Sequence, residues 1–353
     1  MKLPAIGLVG LPCAGKTSLF RAIVGRGHGH EAERPDQASV AIVNIPDARL
    51  DAIVKSLAVS RRVYATVEVN DFPPILGGAR VKGKGGSGEL LNQLRQQDML
   101  IGVLPAYERG GSAADAELRK LQGEMLLADQ QVIESAIDRL DKDSRRRGLT
   151  ADEREKIDHL ETVRRAIESG DSIGADKLPS FERLAAFSVP LLCTKPQILV
   201  SNVAEASAPS RPIPGLFGAS VDPVCVPCKT ELELQELPEE ERRAFREEMK
   251  IPVPPWDLLA PKILEALKVL TFYTAVGEEA RAWHLHRGGT ALDAAAQVHT
   301  DIAHGFVKAE VVAFDDLAGH GSLKNVKQAG KLALEGKDYV VKDGDIIAIR
   351  FSK

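Results

Sequence analysis

The stretch that decides the fold is "GLVGLPCAGKTSLF", Gly7 to Phe20. Gly10 to Thr17 fits G-x-x-x-x-G-K-[ST] without a gap. The apolar run Ile6–Val9 just before it reads as a buried strand, and Thr17 to Val24 just after it reads as a helix. That setting makes the loop a phosphate cradle. Its glycines let backbone N–H groups converge on phosphate oxygens, and the helix N-terminus adds partial positive charge. Lys16 is expected to reach the β- and γ-phosphates, and Thr17 to hold Mg²⁺ through its hydroxyl. Gly10, Cys13, Ala14, Gly15 and Ser18 complete the expected cofactor-binding loop. A chance glycine loop is the alternative, and the flanking elements argue against it.

Outward from the loop, the whole chain sets bounds. Its 353 residues fit two or three domains. Hydrophobic residues make up 44% and charged residues 27%, enough for a sizeable core. A net charge of -4 gives no global electrostatic case for nucleic acid, and DNA is not an expected partner. No apolar run approaches the roughly 18 residues that span a bilayer, so no membrane partner is expected. "MKLPAIGLVG" reads as a first strand and not as a signal peptide. Four cysteines in so long a chain make no disulfide framework, which points to a reduced, cytoplasmic setting.

Five further strands are expected: Ser39–Ile45, Tyr64–Asn70, Met99–Leu104, Gln197–Asn202 and a short one near Val224. Strands alternating with helical stretches predict a mostly parallel sheet wound by helices. Between the fourth and fifth strands, Leu118, Leu121, Met125, Val132, Ala136 and Leu140 recur at helical spacing. "DKDSRRRG" breaks that run, and Thr150 with Glu153 then makes a capping-box signal. A second run carries Ile157, Leu160, Val163 and Ile167. The pair predicts an antiparallel helical hairpin inserted into the α/β domain. The tail "KDYVVKDGDIIAIRFSK" reads as two strands around a Lys-Asp-Gly-Asp turn, within a small α+β domain. The expected domains are 1–128 with 186–268 for nucleotide, 129–185 for the arm, and 269–353 for the C-terminal module.

These segments together resemble the Obg-like ATPase, or YchF, family. The motifs are "GLPCAGKTSLF", "PDARLDAI", "KPQILVSNVAE", "EARAWHL", "HTDIAHGFVKAEVV" and "GKDYVVKDGD", and they run nearly end to end. In the last third, Trp283, His299-Thr300-Asp301, Gly305-Phe306 and Lys337 to Asp345 carry the likeness. The resemblance implies a Ras-like P-loop domain, a coiled-coil arm and a C-terminal TGS (ubiquitin-like) domain. It also implies a cytoplasmic, translation-associated switch that prefers ATP over GTP. The implied ligands are ATP and Mg²⁺. The implied partner is the ribosome or ribosomal RNA, met through the TGS domain and the arm.

Related GTPases read guanine with Asn-Lys-x-Asp after the fifth strand. Here Asn202-Val203-Ala204-Glu205 stands in that place. Asn202 still offers an amide to a purine edge, Val203 replaces the lysine, and Glu205 is one methylene longer than aspartate. The pattern resembles the one tied to ATP preference in this family. After the third strand, relatives carry Asp-x-x-Gly. Asp71 matches the metal-side carboxylate, but the glycine position is Pro74, which has no N–H for a γ-phosphate. Ile75 follows, and an aliphatic chain aligns no attacking water, so turnover is expected to be slow. Cys13 stands where the family usually has asparagine, and "HGHEAERPDQAS", including Pro35, offers no threonine for the metal. "GKGGSG", Gly83–Gly88, is expected to be a mobile loop, with a second phosphate role as the alternative.

Other signals are weaker. Cys225 and Cys228 form a lone C-x-x-C, too few ligands for zinc, and read as strand cysteines or a redox pair. Arg145-Arg146-Arg147 at the hairpin turn is either solvated charge or an RNA phosphate contact. His284, His286, His299 and His304 are scattered, and no metal is expected there. "LPEEERRAFREEM" reads as a structural helix. Three functions compete: a slow ATP-hydrolysing switch in which Lys16 and Asp71 serve catalysis and Thr17 and Asp71 the metal, a nucleotide-binding scaffold without turnover, and an Obg-type GTPase.

Overall fold

The computed structural model describes residues 3–25, 37–74, 87–106, 112–169, 183–184, 187, 189–204, 213–215, 218–249, 251 and 253–352. The first sheet contains all six strands expected from sequence. They are β1 (Ala5–Val9), β2 (Ser39–Asn44), β4 (Thr66–Asp71), β5 (Met99–Ala106), β6 (Gln197–Val203) and β9 (Val224–Val226). Their order is β2-β4-β1-β5-β6-β9, and the β1–β4, β1–β5, β5–β6 and β6–β9 pairs are parallel. β1 is buried at every position, which explains why it reads as a continuous apolar run without alternation. Helix α1 (Lys16–Val24) follows the phosphate loop, and α3 (Ser87–Arg95) precedes β5.

The helical hairpin is α4 (Ser112–Arg147) and α5 (Ala151–Ser169). α4 has 36 residues, roughly 54 Å of helix. The start of α5 is capped as expected across the turn: Glu153 N–H donates to Thr150 Oγ1 at 3.2 Å, and Thr150 N–H donates to Glu153 Oε2 at 3.0 Å. The first half of the hairpin is not an exposed rod. Leu118, Leu121, Met125 and Ile133 of α4 and Leu160 of α5 share one core with Leu94 of α3 and Leu100 of β5. Asp129, fully buried, fixes this base by accepting the N–H groups of Leu192 at 2.9 Å and Cys193 at 2.8 Å.

Residues after β6 add the small antiparallel pair β7 (Ile213–Gly215) and β8 (Gly218–Val221), which the sequence reading did not anticipate. Helices α6 (Cys228–Leu234), α7 (Glu239–Glu248) and α8 (Pro255–Ala266) follow β9. Glu231 of α6, 1% exposed, is held by both guanidinium nitrogens of Arg246 on α7.

A second six-stranded sheet is built from the C-terminal residues and one strand from far upstream. Its strands are β10 (Val269–Val276), β11 (Glu279–His286), β12 (Phe306–Ala313), β13 (Ala333–Glu335), β14 (Asp345–Phe351) and β3 (Arg61–Val63). The order is β13-β12-β14-β10-β11-β3. One face carries α9 (Ala291–Val298), whose Ala291 and Ala294 pack with Phe272 and Ile347. The other face carries α2 (Ala48–Leu57), whose Leu50 and Ile53 pack with Tyr273, Ala282 and Ile346. The tail departs from expectation in one detail. Only the stretch after the Lys-Asp-Gly-Asp turn is a strand; before it, Val340 makes an isolated bridge to Thr290. The reason is where its backbone bonds go: Tyr339 O accepts from Ala291 N at 2.8 Å and Val341 N donates to Gly289 O at 3.0 Å.

Contacts divide the chain into two compact units. One comprises Pro4–Ile42 and Glu68–Leu259; the other comprises Val43–Val67 and Ala260–Lys353, with the first three residues.

Candidate nucleotide-binding site

The loop between β1 and α1 is held tightly from outside. A Cβ on Gly10 would lie 2.7 Å from the carbonyl oxygen of Val103. Gly15 has φ 95°, and a Cβ there would lie 2.2 Å from Asn202 Nδ2. Both positions therefore demand glycine, one for close backbone approach and one also for left-handed backbone. α1 has Gly15 as its N-cap, no side-chain cap and no acidic residue in its first turn. Its first N–H groups are thus left for an external acceptor, which is the arrangement that favours an anion.

Lys16 is 7% exposed and Asp71 is 6% exposed. Burial holds the Lys16 ammonium below the ordinary lysine range, while Asp71 and then Cys13 act the other way. Burial likewise pushes the Asp71 carboxyl up, opposed by the Thr17 hydrogen bond, then Lys16 and Arg21. Thr17 Oγ1 donates to Asp71 Oδ2 at 2.6 Å. The other carboxylate oxygen, Asp71 Oδ1, is buried and has no hydrogen-bond partner. A buried, orphaned carboxylate oxygen beside a threonine hydroxyl fits a hard divalent cation with oxygen ligands. Cys13 is exposed and sits at φ 64°, a left-handed conformation that asparagine adopts more readily than cysteine.

Asn202, near the end of β6, clamps the loop from behind. Its Nδ2 donates to Ala14 O at 3.2 Å, and its Oδ1 accepts from Cys228 N at 3.3 Å. The amide expected at the purine edge is therefore engaged by the protein at both ends. Val203 ends β6 and is 5% exposed. Sequence reasoning missed the roles of the Val103 carbonyl and the Cys228 N–H, because both are backbone atoms. The nearest signal was the position of Cys228 after the last parallel strand.

Glu205, Ile75, Pro35 and Gly83–Gly86 lie outside the described residues. Pro74 is described and half-buried, three residues after Asp71. Cys225 and Cys228 are not joined by a disulfide. Burial, and then Glu231, push the Cys228 thiol up to about 12, so it is not a reactive thiolate near neutrality. Arg147 does not point a bare charge outward: its guanidinium pairs with Glu153, at 2.6 Å to Oε1 and 3.1 Å to Oε2. Arg145 is exposed. His286, His299 and His304 are exposed, whereas His284 is buried with neither ring nitrogen hydrogen-bonded.

Comparison with known proteins bears on the frame that holds this site. The Ribosome-binding ATPase YchF of Pasteurella multocida (strain Pm70) is 32% identical over 363 residues, which covers 98% of this chain and 98% of that protein. The chain belongs to the YchF family. The Bacillus subtilis (strain 168) protein of the same name is also 32% identical, over 364 residues with 98% coverage of each. Obg-like ATPase 1 of Oryza sativa subsp. japonica is 30% identical over 98% of this chain and 92% of its own. A family model named YchF-GTPase_C, described as a protein of unknown function, matches residues 269–352. The solved YchF GTPase of Schizosaccharomyces pombe shares the fold, with a TM-score of 0.78 at 23% identity over 98% of this chain and 97% of that one. The YchF architecture thus accounts for both parts, the P-loop domain and the C-terminal domain. No helix among the described residues is long and apolar enough to cross a membrane.

Proposed function

We propose that this YchF-family chain binds ATP in preference to GTP, with Mg²⁺, hydrolyses it slowly, and acts as a nucleotide-dependent partner of ribosomes in the cytoplasm. The observation that carries the reading is the buried pair Lys16 and Asp71, with the orphaned Asp71 oxygen and the Thr17 hydroxyl bonded to its neighbour, under an uncapped helix N-terminus. Lys16 places an ammonium against the phosphates, and the loop N–H groups, Cys13 to Ser18, wrap them. Thr17 Oγ1 and Asp71 would hold the cation, Asp71 most simply through water. Bound Mg²⁺ would neutralise charge developing on the phosphate oxygens. Asn202 keeps the loop in its receptive shape through Ala14 O. Its proposed contact with adenine uses the second amide hydrogen and the second lone pair, with Val203 and Glu205 in place of the guanine-reading pair.

The relatives' names supply the ATPase and ribosome-binding parts of the proposal. The C-terminal domain and the hairpin tip at Arg145 are the proposed contacts with the ribosome. A second reading, a scaffold with no turnover, rests on Pro74, which has no N–H to offer a γ-phosphate. Phosphate release separates the two. With ATP and Mg²⁺ the proposal expects measurable release that stops in Lys16→Ala. No release above that variant supports the scaffold, and faster release from GTP overturns the choice of base.

A further inference from the structure

The chain between the phosphate loop and Asp71 does not all stay with the nucleotide unit. Val43–Val67 belongs to the C-terminal unit, and three independent features hold it there. β3 pairs in parallel with β11, with Arg61 opposite Glu279 and Val63 opposite Arg281. Leu50 and Ile53 of α2, both 0% exposed, complete one face of the C-terminal core. A polar chain runs from the start of α2 to β10. Asp47 caps α2 by accepting Arg49 N at 3.0 Å, and it receives the Tyr273 hydroxyl. Arg49 donates from one terminal nitrogen to Asp343 Oδ2 at 2.6 Å. Asp343 Oδ1 in turn accepts Thr271 N–H at 2.8 Å.

Two strands lead out of this segment, β2 at one end and β4 at the other. β4 starts at Thr66, among residues of the C-terminal unit, and ends on Asp71, the carboxylate proposed for the cation. An extended strand is a stiff link, with a rise of about 3.3 Å per residue and little slack. We propose that occupancy of the Thr17–Asp71 site is transmitted along β4 to the C-terminal unit, with the Arg49–Asp343 pair among the contacts that hold the 43–67 segment within that unit. This rests on the nucleotide reading above. Thermodynamic reciprocity then requires these contacts to affect binding at the site. The effect belongs to the metal-dependent part of nucleotide affinity, because Asp71 acts through the cation while Lys16 and the loop N–H groups act without it.

The test uses the intact chain with a non-hydrolysable ATP analogue, in Mg²⁺ and in EDTA. Calorimetry and amide hydrogen exchange are read on the same samples. Mg²⁺ with the analogue should slow exchange at Thr271 and Gly344 by about fivefold over the analogue in EDTA, the low end of measured couplings. Asp343→Asn keeps an acceptor for Thr271 N–H but weakens the pair with Arg49. It should reduce both the slowing and the Mg²⁺ gain in affinity, with affinity in EDTA unchanged. The inference is overturned if the analogue binds with a Mg²⁺ gain but exchange at these amides does not change. It is equally overturned if Asp343→Asn folds and keeps the full gain. If the variant does not fold, the exchange result on the natural chain decides alone. If no analogue binds, the nucleotide reading falls and this inference falls with it.

Discussion

Lys16 and Asp71 carry opposite charges in a place where each alone would be driven toward neutrality. Their chemistry is useful only with phosphate and a cation present. Lys16→Ala should weaken ATP binding by roughly 10- to 100-fold, from loss of charge-assisted hydrogen bonds worth about 1.5–3 kcal/mol each; calorimetry checks it. These residues were legible in the sequence because the motif fixes spacing and the flanking strand and helix fix direction. Asn202 was only half legible. Its type and place were clear, but its two partners, Ala14 and Cys228, lie 188 and 26 residues away. His284 gave no signal at all. It was read as one scattered histidine, yet the pleat turns it into the C-terminal core. Burial lowers it from 6.5 to about 4, with Asp47 acting the other way. The unfolded chain therefore takes up a proton below pH 6.5 that the folded chain refuses until about pH 4. Stability from this group is present above pH 6.5 and falls on acidification toward pH 4, by a ceiling of roughly 3 kcal/mol. His284→Leu should flatten that dependence. Protection of β10 and β11 amides at pH 6.5 and 4.5, unchanged in its slope by the substitution, would contradict this.

At the scale of elements, the hairpin shows what periodicity gives and what it hides. Helical spacing and the Thr150–Glu153 signal placed two helices and their turn. They did not reveal that α4 is anchored from Leu118 to Ile133 in the core beneath it, because a core-facing stripe and a partner-helix stripe look alike. Asp129 sits in that stripe as a buried carboxylate serving two N–H groups. Asp129→Ala should cost about 2–4 kcal/mol, since both donors lose their acceptor in a dry site. A urea midpoint equal to that of the natural chain would rule this out. At the free end, Arg147 is engaged with Glu153, so the proposed phosphate contact falls to Arg145. Arg145→Glu should weaken co-sedimentation with ribosomes and flatten its salt dependence, as expected on losing one counterion-releasing contact. Equal pelleting at every salt concentration would move the contact elsewhere. α2 and β3 illustrate a different limit. The sequence reading singled out neither element, and only the distant residues Tyr273, Glu279 and Asp343 show which core the 43–67 segment completes.

Over the whole molecule, β1 and β5 were legible because strands buried on both faces appear as short apolar runs, and the other strands of the first sheet because their apolar, β-branched runs stand between helical stretches. The second sheet was less so: β3 enters it from more than 200 residues upstream, beyond any local pattern. The central claim is that Lys16, Thr17 and Asp71 form one metal-dependent nucleotide site with adenine preference. Calorimetric titration with ATP and GTP, in Mg²⁺ and in EDTA, on the natural chain and on Asp71→Asn, tests it most directly. The account predicts ATP tighter than GTP, a gain in affinity from Mg²⁺, and loss of that gain in Asp71→Asn with EDTA affinity retained. GTP tighter than ATP by tenfold, about 1.4 kcal/mol, or a Mg²⁺ gain that survives in Asp71→Asn, would contradict it.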